Sequence, residues 1–263
     1  MHNKIINKYK RLILVQINRV DPIKKLKGRP IKHNYNKCLT YIFDILITGL
    51  SWNKYSKIKK FNLDAIRKRF NKWIKLNIFI NAYNGLLKIY KKKYDLTNLY
   101  IDSTVIGNLN GSLTCGYNIK IKNKRSIKIS AIVDDNKIPH MLLVTPSNPH
   151  DAKIMEELVE QNNFDNKLIN LIGDKGYIKS ANYINHIKKQ YNIKLVTPQR
   201  INALNMTLSE ENKKLLNKRF VVENFFSLLK RCYLRINIIN DKKINTYNNY
   251  LAIIAGLLIT QAM

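Results

Sequence analysis

The sequence predicts an α/β protein in which a mixed sheet with flanking helices follows an all-helical N-terminal domain. Three observations predict this architecture. Apolar residues recur at a helical period in the first 98 residues, and short apolar runs of strand length alternate with helical segments from Leu99 onwards. A chain of 263 residues with 45% apolar side chains can bury the cores of one or two domains, so we predict domains at 1–98 and 99–263.

The N-terminal domain is predicted to contain an apolar helix and a basic one. The apolar segment Cys38 to Leu50 predicts the first helix, whose end is marked by Gly49. The second helix follows Asn62, a residue type favoured at helix N-caps. Apolar residues from Leu63 to Ile74 recur at a helical period and form one face of the second helix. Its opposite face carries four basic residues: Arg67, Lys68, Lys72 and Lys75.

Two interpretations fit these helices. Joined by the linker Ser51 to Phe61, they are typical of a helix-turn-helix whose second helix enters the major groove of DNA. A solvated basic face on a small helical bundle explains the same residues equally well. The upstream stretch Lys27 to Pro30 would either extend along a minor groove or serve as a linker, and the linker is the simpler interpretation.

The predicted sheet begins with an antiparallel meander. Its strands are the apolar segments Asn98 to Asp102, Ile127 to Asp134 and Ile138 to Thr145, with a turn between the last two. Alternating elements follow: helices at 151–161, 180–191 and 208–233, strands at 168–173 and 194–198, and a terminal helix at 246–263. Antiparallel strands followed by helical crossovers give a mixed sheet with helices on its faces, the layout of a ribonuclease H-like domain.

The composition favours a polyanionic partner. The chain carries 47 Lys and Arg against 17 Asp and Glu, a formal net charge of +30, and residues 1–98 hold 24 of the basic and 4 of the acidic side chains. A phosphate backbone offsets such an excess, so nucleic acid is the leading partner and a generic metabolic enzyme is disfavoured. Abundant Lys, Asn and Ile also indicate AT-rich coding sequence, which raises the basic count by itself.

Cysteine spacing and hydropathy exclude several other classes. Cys38, Cys115 and Cys232 are widely separated, which disfavours a zinc ribbon or a disulfide framework, and we expect reduced, buried thiols. The N-terminal residues are not expected to act as a secretion signal, and no apolar stretch reaches the roughly 20 residues that span a bilayer. We therefore expect a soluble, intracellular protein without a membrane partner.

Three acidic residues are candidates for chemistry. Asp102 and Asp174 each end a predicted core strand, where carboxylates meet in the crevice at the sheet edge, although a turn-capping role explains either one alone. With Glu223 on the final long helix they would form a hard oxygen-ligand cluster of the type that holds Mg²⁺ or Mn²⁺. Arg219 and Lys230 fall on the same helix face as Glu223, either to grip phosphates or, for Arg219, as an ordinary i, i+4 ion pair worth about 0.3 to 0.5 kcal/mol.

Four motifs in this order resemble those of DDE-type transposases of bacterial insertion sequences, in the superfamily of insertion elements four and five. They are the segment 100–104 around Asp102, the segment 128–151 ending in Pro-Ser-Asn-Pro-His-Asp, Gly-Asp-Lys-Gly-Tyr at 173–177, and Arg219-x3-Glu223-x6-Lys230. The first two acids are 72 residues apart and the last two are 49 apart. Residues 28–73 likewise resemble the helix-turn-helix region that precedes such catalytic domains.

The resemblance implies a mechanism. Asp102, Asp174 and Glu223 would hold two divalent cations, Mg²⁺ or Mn²⁺, while Arg219 and Lys230 neutralise phosphate charge. Water would first free a 3′ hydroxyl at the end of the mobile element, and that hydroxyl would then attack target DNA. The implied partner is double-stranded DNA, both element ends and target, bound by a homodimer because two ends must be joined together.

The sequence also departs from the family pattern. Leu216 stands where the third motif usually opens with a tyrosine, which removes a phosphate-contacting hydroxyl. Asn148, His150 and Asp151 recur in the family and are expected to shape the start of a helix, with Asp151 as an N-cap rather than a fourth metal ligand. The alternatives are a catalytically decayed or domesticated DNA-binding protein of the same fold, or a stand-alone ribonuclease H-like nuclease.

Overall fold

The computed structural model describes residues 3–22, 34–107, 115–119, 124–160, 167–199, 209–237 and 244–263. Contacts divide the chain into two compact units: a first unit formed by Met1–Lys92 with Leu229–Met263, and a second unit formed by Lys93–Leu228. In the described ranges no helix has the length and apolarity needed to cross a membrane. The stretch Lys27 to Pro30 lies outside these ranges.

The elements follow the predicted order with several additions. The helices are α1 (Asn3–Val20), α2 (Tyr35–Thr48), α3 (Trp52–Ile58), α4 (Asp64–Lys75), α5 (Ile78–Lys93), α6 (Asp151–Glu160), α7 (Ala181–Tyr191), α8 (Glu210–Asn217), α9 (Phe220–Cys232), α10 (Leu234–Asn237) and α11 (Ile244–Ala262). The strands are β1 (Asn98–Gly107), β2 (Gly116–Asn118), β3 (Lys124–Asp134), β4 (Pro139–Pro146), β5 (Ile169–Ile172) and β6 (Ile193–Val196).

The first unit packs the terminal helix α11 among the N-terminal helices. Tyr250 of α11 stacks on Phe70 of α4, with ring centroids 5.4 Å apart. The hydroxyl of Tyr9 on α1 donates a hydrogen bond to the carbonyl of Ala252. The compact units therefore differ from the predicted domains in the last 35 residues, because the apolar surface of α11 is buried by helices of the N-terminal part.

The helical region around the basic helix is more structured than predicted. The linker Ser51 to Phe61 contains α3, whose N-terminus is capped by the Ser51 hydroxyl. Gly49 ends α2 as predicted, in a left-handed conformation with φ of 73°. Leu63 rather than Asn62 occupies the N-cap of α4, and the Asn62 side chain accepts a hydrogen bond from the amide of Asp64.

The second unit contains a mixed sheet whose six strands, counted over the described residues, are centred on β1. Strand β1 pairs antiparallel with β3 from Leu99 to Gly107 and parallel with β5 only from Asn98 to Tyr100. On the other edge of β3 lie β2 and β4, and β6 extends the sheet in parallel beyond β5. The predicted ribonuclease H-like fold class, with an all-helical N-terminal region, is confirmed.

Two predicted boundaries in this unit are wrong. Strand β1 does not end at Asp102, because the long partner β3 keeps it extended to Gly107. The predicted helix at 208–233 is broken at Lys218 and Arg219, where amides bond to carbonyls three residues earlier and tighten the chain between α8 and α9. One face of the sheet is closed by α6 over a buried apolar cluster that includes Ile101.

Two helical glycines provide a matched test of this packing. A Cβ atom at Gly256 of α11 would lie 2.1 Å from the buried ring of Tyr9, whereas a Cβ atom at Gly85 of α5 would meet no atom within 4 Å. We expect Gly256→Ala to lower the free energy of unfolding by about 1 to 3 kcal/mol through overpacking. Gly85→Ala should raise it by about 0.5 to 1 kcal/mol, because alanine loses less backbone entropy in a helix. Urea unfolding of the full chain measures both, and equal stability of the two variants would contradict the packing of α11 on α1.

Candidate active site

The parallel register of β1 and β5 brings two candidate carboxylates together. Tyr100 pairs with Ile172, an offset of 72 residues that also separates Asp102 from Asp174. Both acids therefore lie two residues beyond the last paired position, at the open edge where parallel strands end. Each carboxylate accepts a backbone hydrogen bond of 2.8 Å, Asp102 from the amide of Ser103 and Asp174 from the amide of Gly176.

Arg219 connects the sheet to the third candidate acid. It lies in the turn before α9, and its Nη2 atom is 3.6 Å from Glu223 Oε1 and 4.0 Å from Asp102 Oδ2. The Asp102 side chain is 20% exposed and that of Glu223 is 61% exposed. The guanidinium thus lies between a half-buried carboxylate and a solvated one, at distances longer than a tight charge-assisted hydrogen bond.

Burial and neighbouring charges raise the pKa of Asp102 to about 6. Loss of solvation is the largest cause, because burial disfavours the charged carboxylate. The Ser103 amide and Arg219 oppose this rise, while the negative charges of Asp174 and Glu223 add to it. Both other candidate acids therefore act electrostatically on Asp102, and Arg219 offsets the rise in its pKa only in part.

The donor set fits a hard divalent cation in its chemistry. Carboxylate oxygens are the ligands that Mg²⁺ and Mn²⁺ prefer, and Asp174 and Glu223 add negative charge to that of Asp102. Over the part of the chain that the structure describes, no three carboxylate, histidine or cysteine side chains are gathered closely enough to hold a metal as they stand. The Glu223 carboxylate lies 3.6 Å from Arg219.

A buried ion pair beside these acids was not foreseen from the sequence. Lys128 of β3 is 7% exposed, and its Nζ atom lies 2.8 Å from Asp151 Oδ1, which also accepts a 2.9 Å hydrogen bond from the Ser103 hydroxyl. The expected N-cap role of Asp151 is wrong, because its carboxylate makes these contacts, and His150 accepts hydrogen bonds from the first amides of α6 instead. A lysine between two isoleucines of a core strand is the signal that could have revealed the pair, since buried lysines require partners.

The sequence of the second half identifies the family. A family model described as "Transposase DDE domain" matches residues 95–257. The chain belongs to this transposase family. The resemblance to DDE-type transposases predicted from the motifs is thereby confirmed.

Solved structures of transposases resemble the chain at low sequence identity. The structure titled "Cryo-EM structure of piggyBac transposase synaptic complex with hairpin DNA" is 11% identical, with a TM-score of 0.54, over 99% of this chain and 73% of that one. A pre-cleavage Mos1 transpososome is 12% identical, with a TM-score of 0.29, over 85% and 83% of the two chains. No curated protein matches the chain. The first of these similarities supports the transposase fold.

Apart from Arg219, the predicted DNA-binding residues of this transposase lie in the first unit. Arg67, Lys68 and Lys75 are exposed on α4, while Lys72, also exposed, forms a 2.6 Å ion pair with Asp21. Lys230 belongs to the part of α9 that is assigned to the first unit, where its carbonyl accepts a hydrogen bond from Asn237. These residues therefore belong to a different compact unit from Asp102, Asp174 and Glu223.

The cysteines only partly match the expectation of buried thiols. Cys38 is buried on α2, where burial raises the pKa of its thiol, and the guanidinium of Arg69 lies 3.8 Å from its sulfur. Cys115 is half-buried and Cys232 is exposed at the end of α9, so the expectation is wrong for Cys232. The last turn of an amphipathic helix leaves such a position open to solvent.

The raised pKa of Asp102 predicts a specific dependence of stability on pH. Since folding raises this pKa from 3.8 to about 6, the folded protein favours the protonated acid, and stability falls by roughly 3 kcal/mol as pH rises from below 4 to above 6. Asp102→Asn keeps the shape without the charge. Without divalent cations, we expect this variant to exceed the wild type in stability at pH 7.5 and to match it at pH 3.5.

Urea unfolding at both pH values, with a chelator present, measures the effect. Asp95→Asn is the control, because the Asp95 side chain is 79% exposed and pairs only with the exposed Lys167 among the described contacts. Its stability should follow that of the wild type at both pH values. A constant difference between Asp102→Asn and the wild type from pH 3.5 to 7.5 would contradict a raised pKa at Asp102.

Proposed function

We propose that this protein is a transposase that binds the ends of its mobile element and cleaves and joins DNA strands at Asp102, Asp174 and Glu223. The observation that carries the proposal is that Arg219 lies between Asp102 and Glu223, while Asp174 acts electrostatically on Asp102, in a chain of the transposase DDE family. The reaction class is phosphoryl transfer. Water attacks phosphorus in line and displaces the 3′ oxygen of the element end, and the resulting 3′ hydroxyl then attacks a phosphate of the target and displaces a 3′ oxygen of the target strand.

Asp102, Asp174 and Glu223 would hold two divalent cations, Mg²⁺ or Mn²⁺. When bound, such ions stabilise charge on phosphoryl oxygens and increase the acidity of a coordinated water. Arg219 would contribute a positive charge of the protein itself. Arg219 sits 3.6 to 4.0 Å from two of the acids, so neutralising those acids would release its planar guanidinium to bind two phosphate oxygens. Lys230 would supply a further positive charge to the bound strand.

DNA is the proposed partner, as double-stranded element ends and target. The structurally similar piggyBac transposase was solved in a synaptic complex with hairpin DNA. The net charge of +30 and the exposed basic residues of α4 support the same type of partner here. Because two ends must be joined in one event, we propose a homodimer on DNA, acting as a soluble protein inside the cell.

A catalytically decayed, DNA-binding relative is the second candidate. Leu216 in place of the usual tyrosine and the pairing of Glu223 with Arg219 favour it. It would bind the same ends without cleaving them, so one cleavage assay decides between the two candidates.

The proposed acids are tested by conservative substitution. Asp102→Asn, Asp174→Asn and Glu223→Gln should each lower the rate of Mg²⁺-dependent cleavage of element-end DNA by about 1,000-fold, because each removes a ligand for ions that stabilise the transition state. Binding of the ends should change by less than about threefold, since phosphate contacts elsewhere dominate affinity. A gel cleavage assay on the inverted repeats that bound the gene measures the first effect, and filter binding measures the second.

Asp95→Asn, an exposed substitution, is the matched control and should cleave like the wild type. Undiminished cleavage in any one of the three variants would remove that residue from the site. Specific end binding without cleavage by the wild type would favour the decayed relative.

The basic face of α4 is tested in the full chain, because α11 completes the unit that contains it. Arg67→Ala, Lys68→Ala and Lys75→Ala should each reduce the slope of log affinity against log salt by about 0.9, the value for one lost phosphate contact. Lys72→Ala should have a smaller effect, because Lys72 is paired with Asp21 at 2.6 Å.

The affinity for element ends is measured by fluorescence anisotropy between 50 and 300 mM salt, approximate limits chosen to span the steep part of the dependence. Lys167→Ala, which alters an exposed lysine of the second unit, is the control and should leave the slope unchanged. Unchanged slopes in all four α4 variants would show that this face does not contact phosphates.

A further inference from the structure

The buried pair of Lys128 and Asp151 links three separate parts of the second unit. Lys128 belongs to β3, and Asp151 is the first residue of α6. The Lys128 Nζ atom donates to Asp151 Oδ1 at 2.8 Å and to the Pro149 carbonyl at 2.6 Å. The Ser103 hydroxyl of β1 donates to the same carboxylate oxygen at 2.9 Å. The pair therefore fixes the start of α6 against β1 and β3.

Asp151 bonds to one of the two residues whose amides hold the candidate acids and lies beside the other. Ser103 donates its hydroxyl to Asp151 and its amide to Asp102, at 2.9 and 2.8 Å. Gly176 donates its amide to Asp174 at 2.8 Å, and a Cβ atom on Gly176 would lie 3.6 Å from Asp151 Oδ2. One partly buried carboxylate thus bonds to Ser103 and adjoins Gly176, the two residues whose amides orient Asp102 and Asp174.

We propose that Lys128 and Asp151 are positioning residues that hold Asp102 and Asp174 in the orientation needed for the reaction, through Ser103 and Gly176. The inference rests on the proposed function for its effect on catalysis. Its structural part, the fixing of two backbone amides, does not depend on that function.

The character of the pair supports positioning over simple stabilisation. Desolvation of the buried ammonium and of the partly buried carboxylate offsets much of their attraction, so apolar replacements of similar volume are often neutral or stabilising. Lys128 is 7% exposed and makes two short bonds, which gives the pair a fixed geometry. Asp151 also has its Oδ1 atom occupied by both Lys128 and Ser103, which favours a supporting role over direct ligation of a metal.

The test replaces the whole pair, because removal of one partner alone leaves a buried charge without compensation. The double variant Lys128→Met with Asp151→Leu removes both charges at similar volume. Asp151→Asn, which keeps the shape and the acceptor oxygen, is a second variant in case the double variant does not fold. Lys128→Arg keeps the charge and tests rescue.

The matched control is the other ion pair of α6. Glu156 accepts a hydrogen bond from Lys179, and their side chains are 37% and 14% exposed. The double variant Lys179→Met with Glu156→Leu removes this pair from the same helix without touching Ser103 or Gly176. Full-length protein is used throughout.

Three measurements separate the possible roles. Hydrogen exchange of the Ser103 and Gly176 amides, followed by NMR without metal or DNA, reports the positioning directly. Titration with Mn²⁺ alone, followed by electron paramagnetic resonance, reports the affinity of the acids for a cation. Cleavage of element-end DNA separates kcat from KM.

We expect the Lys128 and Asp151 double variant to unfold at the same temperature as the wild type or higher. Exchange at both amides should be about 10-fold faster or more, Mn²⁺ affinity should fall at least about 10-fold, and kcat should fall by a similar factor with KM nearly unchanged, as for lost supporting contacts. Lys128→Arg should keep amide exchange, Mn²⁺ affinity and kcat much closer to the wild type than the double variant does. The double variant of the control pair should match the wild type.

Amide exchange, Mn²⁺ affinity and kcat within about twofold of the wild type in a folded double variant, or in Asp151→Asn, would overturn the inference. If the wild type neither binds Mn²⁺ nor cleaves DNA, the proposed function fails, and unchanged amide exchange in the variants would overturn the positioning role separately.

Discussion

The geometry of the candidate site depends on the unequal pairing of β1. This strand is paired with β3 from Leu99 to Gly107, but its parallel partner β5 ends at Ile172, opposite Tyr100. The unpaired edge beyond Tyr100 is where Asp102 and Asp174 meet. Successive side chains of a strand point to opposite faces, so a slip of one residue in the pairing would exchange Asp102 with Ser103 and separate the acids. The extensive ladder with β3 holds β1 extended through Asp102, beyond the last residue that pairs with β5.

The two cations beside the acids differ in how firmly they are held. Lys128 is buried and bound at 2.6 to 2.8 Å, so its charge is a permanent part of the fold. Arg219 is 23% exposed and lies 3.6 to 4.0 Å from Asp102 and Glu223, at distances where solvent and ligands compete. Lys128 therefore supports the acids from within the unit. Arg219 compensates part of their charge from a more exposed position, where a ligand can replace its contacts.

Much of the fold could be predicted from the sequence, and the failures have identifiable causes. Strong apolar periodicity located the meander, the crossover helices and α11, because these segments bury continuous faces. The break at Lys218 was missed because neither glycine nor proline marks it. The extension of β1 past Asp102 depends on pairing with β3, which is a tertiary effect. The spacing of 72 residues between Asp102 and Asp174 equals the offset of the paired residues in β1 and β5, so it was visible in the sequence. The contact of Lys128 with Asp151 was not, because only the folded chain brings these side chains together.

In a chain with so large an excess of positive charge, the acids differ in how closely they are paired with polar partners. Several of the 17 acids have short polar partners: Asp21 binds Lys72 at 2.6 Å, Asp44 accepts from Tyr55 at 2.6 Å, and Asp151 binds Lys128 at 2.8 Å. Asp102 and Glu223 have only the longer contacts with Arg219 as described ion pairs, in a chain with 47 cations. Electrostatic attraction alone would bring a cation closer to them. The contacts of Arg219 with these acids are instead long, and negative charge left under-compensated in this way is suited to an exchangeable cation and a phosphate that arrives with it.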